Sequence, residues 1–154
     1  TVLNQPMPGL VERMKEFRAF QAEQGYSLDE DMHLMLPLFV AESAEEAHEV
    51  PRESYQRYQN NLAANIQVRA RGETNGFSRR RTWEQDHHSK WEYSRVLEQV
   101  VFEDPDGCVK RLQELQERTG MAECICWFNL GGMVPHEEVK KSMRLFADQV
   151  MPKL

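Results

Sequence analysis

The sequence predicts an α/β fold in which parallel strands alternate with helices. Short apolar runs of strand length recur at Met32–Val40, Val100–Phe102 and Cys124–Phe128. Each is followed by a segment with helical spacing of apolar residues and a start or stop signal of its own. Alternating strands and helices imply a parallel sheet joined by right-handed crossovers. With 154 residues, the chain has room for one domain.

The elements follow in order. Leu10, Met14, Phe17 and Phe20 recur near helical spacing among charged residues, which predicts an amphipathic helix over about Gly9–Gln24, closed by Gly25. Met32–Val40 is apolar at almost every position, as a strand covered on both faces is. Pro37 removes a ladder donor, so a bulge or strand end is expected there. Ser43-Ala-Glu-Glu46 is a capping box that starts a helix running through Tyr55 and Tyr58 toward Leu62. From about 63 to 96 the periodicity fails, and a long excursion is expected. Val100–Phe102 is a short strand. Asp104 as N-cap and Pro105 at the first position open a helix with Val109, Leu112 and Leu115 buried, and Gly120 ends it. The strand Cys124–Phe128 leads through Gly131-Gly132 to a last helix with Val139, Met143, Phe146 and Val150 on one face, closed by Pro152.

Net charge is −6, from 19 basic and 25 acidic residues. A mildly acidic chain lacks the basic face that phosphate contacts need, so no nucleic-acid partner is expected. No apolar run approaches the roughly 18 residues of a membrane span. The N-terminal residues carry no basic-then-apolar leader, so no membrane partner and a cytoplasmic location are expected. The segment Arg69–Arg95 is +3 and the remainder −9. Three cysteines (Cys108, Cys124, Cys126) without a leader point to reduced thiols. Cys124 and Cys126 lack the spacing and further ligands of a zinc site, so no metal is expected.

The last third resembles a known family. Cys124-Ile-Cys-Trp-Phe128, Gly131-Gly132-Met133, Pro135-His136-Glu137, Ser142-Met143-Arg-Leu-Phe146 and Val150-Met151-Pro152 look like the C-terminal end of the bacterial luciferase-like, flavin-dependent monooxygenases. Asp104-Pro-Asp-Gly-Cys-Val109 resembles that family's loop after strand seven, with Glu103 where Gly is common. Phe39-Val-Ala-Glu42 with Glu45-Glu46-Ala47 resembles its sixth-strand region, and Thr1–Gln5 the exit of the preceding strand. The resemblance implies that the chain is the C-terminal portion of a (β/α)8 TIM barrel, with the excursion in the place of the family's mobile lid. It also implies reduced FMN, supplied by a separate reductase, as cofactor. An organic substrate would then be oxidised with O2 through a flavin peroxide. A complete barrel has eight strands and about 250 residues, so the first strands, with much of the flavin cradle and the catalytic histidine, are absent. No catalytic residue is assigned.

In a barrel, chemistry sits at the C-terminal ends of the strands. That selects Asn4 and Gln5, then Asn129, Gly131, Gly132 and Met133, as cofactor- or substrate-binding candidates. Ser43 and Asp104 read as helix caps. The glycine pair serves equally as a backbone cradle or as a plain turn. Arg79, Arg80 and Arg81 with Trp83 and His87 form the candidate lid, which would bring positive charge to an anionic flavin or substrate; a solvated loop is the alternative. Trp91 and Tyr93 would anchor its return. His33 reads as a buried strand histidine. Half a barrel leaves open edges and an apolar face of Leu34, Leu36, Ile125 and Trp127, so a homo-oligomer, or pairing with the missing N-terminal half, is expected. The competing readings are a non-catalytic fragment acting as an interaction module and a small independent α/β binding domain.

Overall fold

The computed structural model describes residues 7–26, 33–71 and 92–154. Within them the order is α1 (Met7–Glu23), β1 (His33–Val40), α2 (Ala44–Glu49), α3 (Arg52–Arg71), α4 (Tyr93–Leu97), β2 (Val101–Glu103), α5 (Pro105–Thr119), β3 (Glu123–Trp127) and α6 (His136–Leu145). A π-helical turn, Phe146–Val150, and a 3-10 turn, Met151–Lys153, continue α6.

The local signals act as expected. The Ser43 side chain accepts from the Glu46 amide, and the Asp104 side chain from the Gly107 amide at 2.8 Å. Gly120, at φ 66°, closes α5 in the left-handed region and takes the Arg18 guanidinium on its carbonyl. Pro37 causes no bulge. β1 pairs with β3 over His33–Pro37 and with β2 over Leu38–Val40, so the missing donor falls where one ladder gives way to the other.

All strand pairs are parallel, and the order is β2-β1-β3. The first connection, through α2, α3 and α4, leads to one side of β1. The second, through α5, returns past β1 to its other side. The connecting helices accordingly lie on opposite faces. Leu34, Leu36, Leu38 and Val40 face Leu10 and Met14 of α1, Cys108, Leu112 and Leu115 of α5, and Leu145. Phe39 and Ala41 face Ala47, Tyr55 and Val96 from the first connection, with Leu130 and Val134. Right-handed crossovers running in opposite directions require this two-sided arrangement. In a (β/α)8 barrel each strand lies beside the next in sequence and the helices form one outer ring. The order here is β2-β1-β3 with helices on both faces, as at the centre of a doubly wound sheet, so the described residues form a small parallel α/β sheet.

Other expectations are corrected by what packs where. Phe17 and Phe20 are exposed, because the face of α1 that packs against the core carries Leu10, Val11 and Met14. Helical structure persists through Arg71, beyond the expected break at residue 63, and resumes at Tyr93. On α6, Met143 faces solvent, and Ser142 and Leu145 turn inward. The Ser142 hydroxyl accepts from the Val40 amide at 2.7 Å, which ties α6 to β1. His33 is at the surface, where its Nδ1 lies 2.6 Å from the Glu123 carboxylate. Leu34 and Leu36 lie on the buried face opposite Ile125 and Trp127, so these four side chains form no common apolar face.

Candidate functional site

In open α/β sheets, ligands bind beyond the carboxyl ends of the strands where the order reverses. Here that point lies between β1 and β3. The chain leaving β1 is Ala41-Glu42-Ser43; the chain leaving β3 is the loop Phe128–Pro135, which contains Asn129, Gly131, Gly132 and Met133.

The loop is organised from within. The Asn129 side chain pairs with one residue at both of its ends: Oδ1 accepts from the Val134 amide at 3.2 Å and Nδ2 donates to the Val134 carbonyl at 3.4 Å. Ser54, buried on α3, completes the closure. Its hydroxyl donates to the Leu130 carbonyl at 2.8 Å and accepts from the Met133 amide at 3.0 Å. Gly131, at φ 98°, is pressed against α3: a Cβ there would lie 1.8 Å from the Ser54 carbonyl oxygen. The glycine is therefore explained by close approach of one backbone to another. Gly132 stands in open space and its amide donates to the Asn129 carbonyl. Met133 is exposed. The structure thus brings together four of the expected site residues, and it commits Asn129 and the amides of Gly132 and Met133 to the loop itself. Asn4, Gln5, Arg79, Arg80, Arg81, Trp83, His87 and Trp91 lie outside the described residues.

Beside this loop, an aromatic row crosses the face of the sheet from β2 to β3. Phe102 meets Tyr55 edge-on at 5.9 Å, Tyr55 meets Tyr58 at 6.1 Å, and Tyr58 meets Trp127 at 6.0 Å. Tyr55 is fully buried, and burial pushes its phenol well above the ordinary range. The row reaches solvent at β3, where Trp127 and Ile125 are exposed. Gln59, one helical turn after Tyr55, donates from Nε2 to the Tyr55 hydroxyl at 2.8 Å, and its buried Oε1 has no hydrogen-bond partner among the described residues. A buried acceptor without a donor costs about 1–3 kcal/mol. The sequence signal for this group was the spacing Tyr55-x-x-Tyr58-Gln59, which places all three on one side of α3.

Two further features frame the site. Tyr93 donates its hydroxyl to the His48 carbonyl and carries the Arg52 guanidinium 4.8 Å above its ring, so it does anchor the chain where α4 begins. Lys141 lies 3.1 Å from Glu46 and 3.9 Å from Glu42, at the exit of β1. The hydrogen bond to Glu46 raises its ammonium above the usual lysine value. With two carboxylates on one ammonium, that exit carries a net negative charge.

These residues meet the requirements of a flavin unevenly. A planar ring finds a stacking surface at the exposed Trp127 beside Tyr58, while the Gln59 carbonyl lies buried beneath the aromatic row. A phosphate does not match, because the amides of Gly132, Met133 and Val134 are taken and Lys141 is held by carboxylates.

No family model and no curated protein matches the sequence. Among solved structures the chain is similar to monooxygenase RslO1 from Streptomyces bottropensis, at 19% identity and a TM-score of 0.58. The match covers 96% of this chain and 39% of that one, so the chain spans about two fifths of the length of the monooxygenase. At that identity the likeness is one of fold. No helix among the described residues is long and apolar enough to cross a membrane.

Proposed function

We propose that this chain is the C-terminal part of a reduced-FMN-dependent, luciferase-like monooxygenase that oxidises a small organic substrate with O2. The observation that carries the reading is the likeness of almost the whole chain to two fifths of a monooxygenase. The closing sequence Ser142-Met-Arg-Leu-Phe146 to Pro152 supports it independently. Reduced flavin, delivered by a separate reductase, supplies the oxygen chemistry. This chain's share is a stacking surface for the ring at the exposed Trp127 and the adjoining Tyr58, backed by the buried Tyr55 and Phe102. The phosphate is left to the rest of the enzyme. Placement within a (β/α)8 barrel belongs to the same proposal. It requires that β3, seated on β1 here, stand beside β2 once the remaining strands are present.

A second reading is a non-catalytic module that associates with itself or with a missing half. It is favoured by the outer edge of β3, which pairs with no strand among the described residues, and by the exposed Ile125 and Trp127 beside it. One experiment separates the two: titrate the purified chain with oxidised and reduced FMN, and follow its mass by equilibrium sedimentation. The flavin reading expects binding near about 1 mM, equivalent to about −4 kcal/mol, weakened by Trp127→Ala. Self-association with no flavin binding at any accessible concentration favours the second reading.

A further inference from the structure

On the sheet face opposite the aromatic row, Cys124 and Cys126 stand two residues apart on β3, where alternate side chains share a face. Their sulfurs are 3.8 Å apart and share a hydrogen bond. Both thiols are half-buried and line a groove of about 350 Å³ between β3, the C-terminal end of α5 and the π-helical turn. Leu112, Met121, Phe146 and Met151 line the same groove.

The strand holds these sulfurs at a distance that suits a bridging ion better than a disulfide. Two residues along a strand separate their Cα atoms by about 6.6–6.8 Å, the upper limit for a disulfide. Two metal–sulfur bonds of about 2.3 Å, at tetrahedral to trigonal angles, place the sulfurs about 3.8–4.0 Å apart. The other donors decide which ion. Among the described residues no three His, Cys, Asp or Glu side chains come together to hold a metal, so a four-ligand zinc centre is not formed. Met121 and Met151, the other sulfur-bearing side chains of the groove, line its wall with the two cysteines. Thiolate with thioether is a soft donor set, and soft donors select Cu(I).

We propose that Cys124 and Cys126 form a two-thiolate site for Cu(I) at the wall of this groove. On binding, two S–H bonds break, two S–Cu bonds form and two protons pass to solvent, with no change of oxidation state.

The test is an anaerobic titration of the folded chain with Cu(I), added as its acetonitrile complex, against bathocuproine disulfonate as competing chelator, with Zn(II) titrated in parallel. The expected result is one Cu(I) per chain, held at least tenfold more weakly by Cys124→Ser or by Cys126→Ser and lost in the double variant. Cys108→Ala serves as the control thiol and should bind as the parent does. Circular dichroism confirms that each variant is folded. Cu(I) uptake by the double variant equal to that of the parent overturns the proposal. So does Zn(II) binding as tight as Cu(I), or Cu(I) affinity in urea equal to that of the folded chain.

Discussion

Alanine at Gly131 and alanine at Gly132 should behave very differently, although the two glycines are adjacent and both have positive φ. An L-residue in the left-handed region costs about 1–2 kcal/mol, and both variants incur that. At Gly132 nothing lies within 4 Å of the new Cβ, so the cost ends there. At Gly131 the Cβ would stand 1.8 Å from the Ser54 carbonyl oxygen and 2.6 Å from its carbon. A carbon–oxygen contact of about 3.3 Å is the ordinary limit, so the loop must retreat from α3 by about 1.5 Å. That movement breaks the two hydrogen bonds of the Ser54 hydroxyl, at 2.8 and 3.0 Å, each contributing about 0.5–1.5 kcal/mol. Gly131→Ala should therefore destabilise by about 2–5 kcal/mol and Gly132→Ala by about 1–2 kcal/mol. For a chain of this size the gap of about 1–3 kcal/mol corresponds to roughly 2–12 °C in Tm. Urea unfolding and thermal melts, both read by circular dichroism, measure it. Equal losses in the two variants would refute the close-approach explanation and return Gly131 to the role of a ligand cradle.

Three further outcomes follow from the same packing. Ser142→Ala leaves the buried Val40 amide without its acceptor and should cost about 1–3 kcal/mol in urea unfolding. Gln59→Met removes a hydrogen bond to Tyr55 but also the orphaned carbonyl, so stability should stay within about 1 kcal/mol of the parent or rise in urea unfolding. Burial first, and Glu49 second, push the Tyr93 phenol up to about 12 against the opposing Arg52. Its folded value lies above its ordinary value of 10.0, so its stabilisation is complete below pH 10 and is lost as pH rises through about 12. Tyr93→Phe should show a shallower loss of stability over that range in alkaline unfolding curves.

What was legible in the sequence is what neighbouring residues decide among themselves. The apolar run of β1, the caps at Ser43 and Asp104 and the stop at Gly120 depend on residues within one helical turn, and each stands where the pattern put it. The strand order does not depend on such neighbours. Whether β3 takes the edge of β1 or of β2 is decided by helices packed across the whole sheet, and no local pattern records it. The same distance hides the role of Gly131, whose close neighbour Ser54 is 77 residues away in sequence. Phe17, Phe20 and Met143 were misplaced because a helix can carry more apolar positions than its partner surface covers. The helix beyond residue 63 was missed because its residues lack an apolar stripe, although most of them tolerate helical backbone. Asn129, a binding candidate by its place at a strand end, instead uses its side chain to replace a backbone pair within its own loop.

The flavin reading is tested most directly by an NMR titration of the isotope-labelled chain with FMN, oxidised and then reduced under anaerobic conditions. Concentration-dependent shifts should be largest at the Trp127 indole and the Tyr58 ring, with smaller ones at the Gly132 and Met133 amides. No shift at millimolar FMN, or shifts confined to the opposite face of the sheet around Cys124 and Cys126, would contradict a flavin site on the aromatic row.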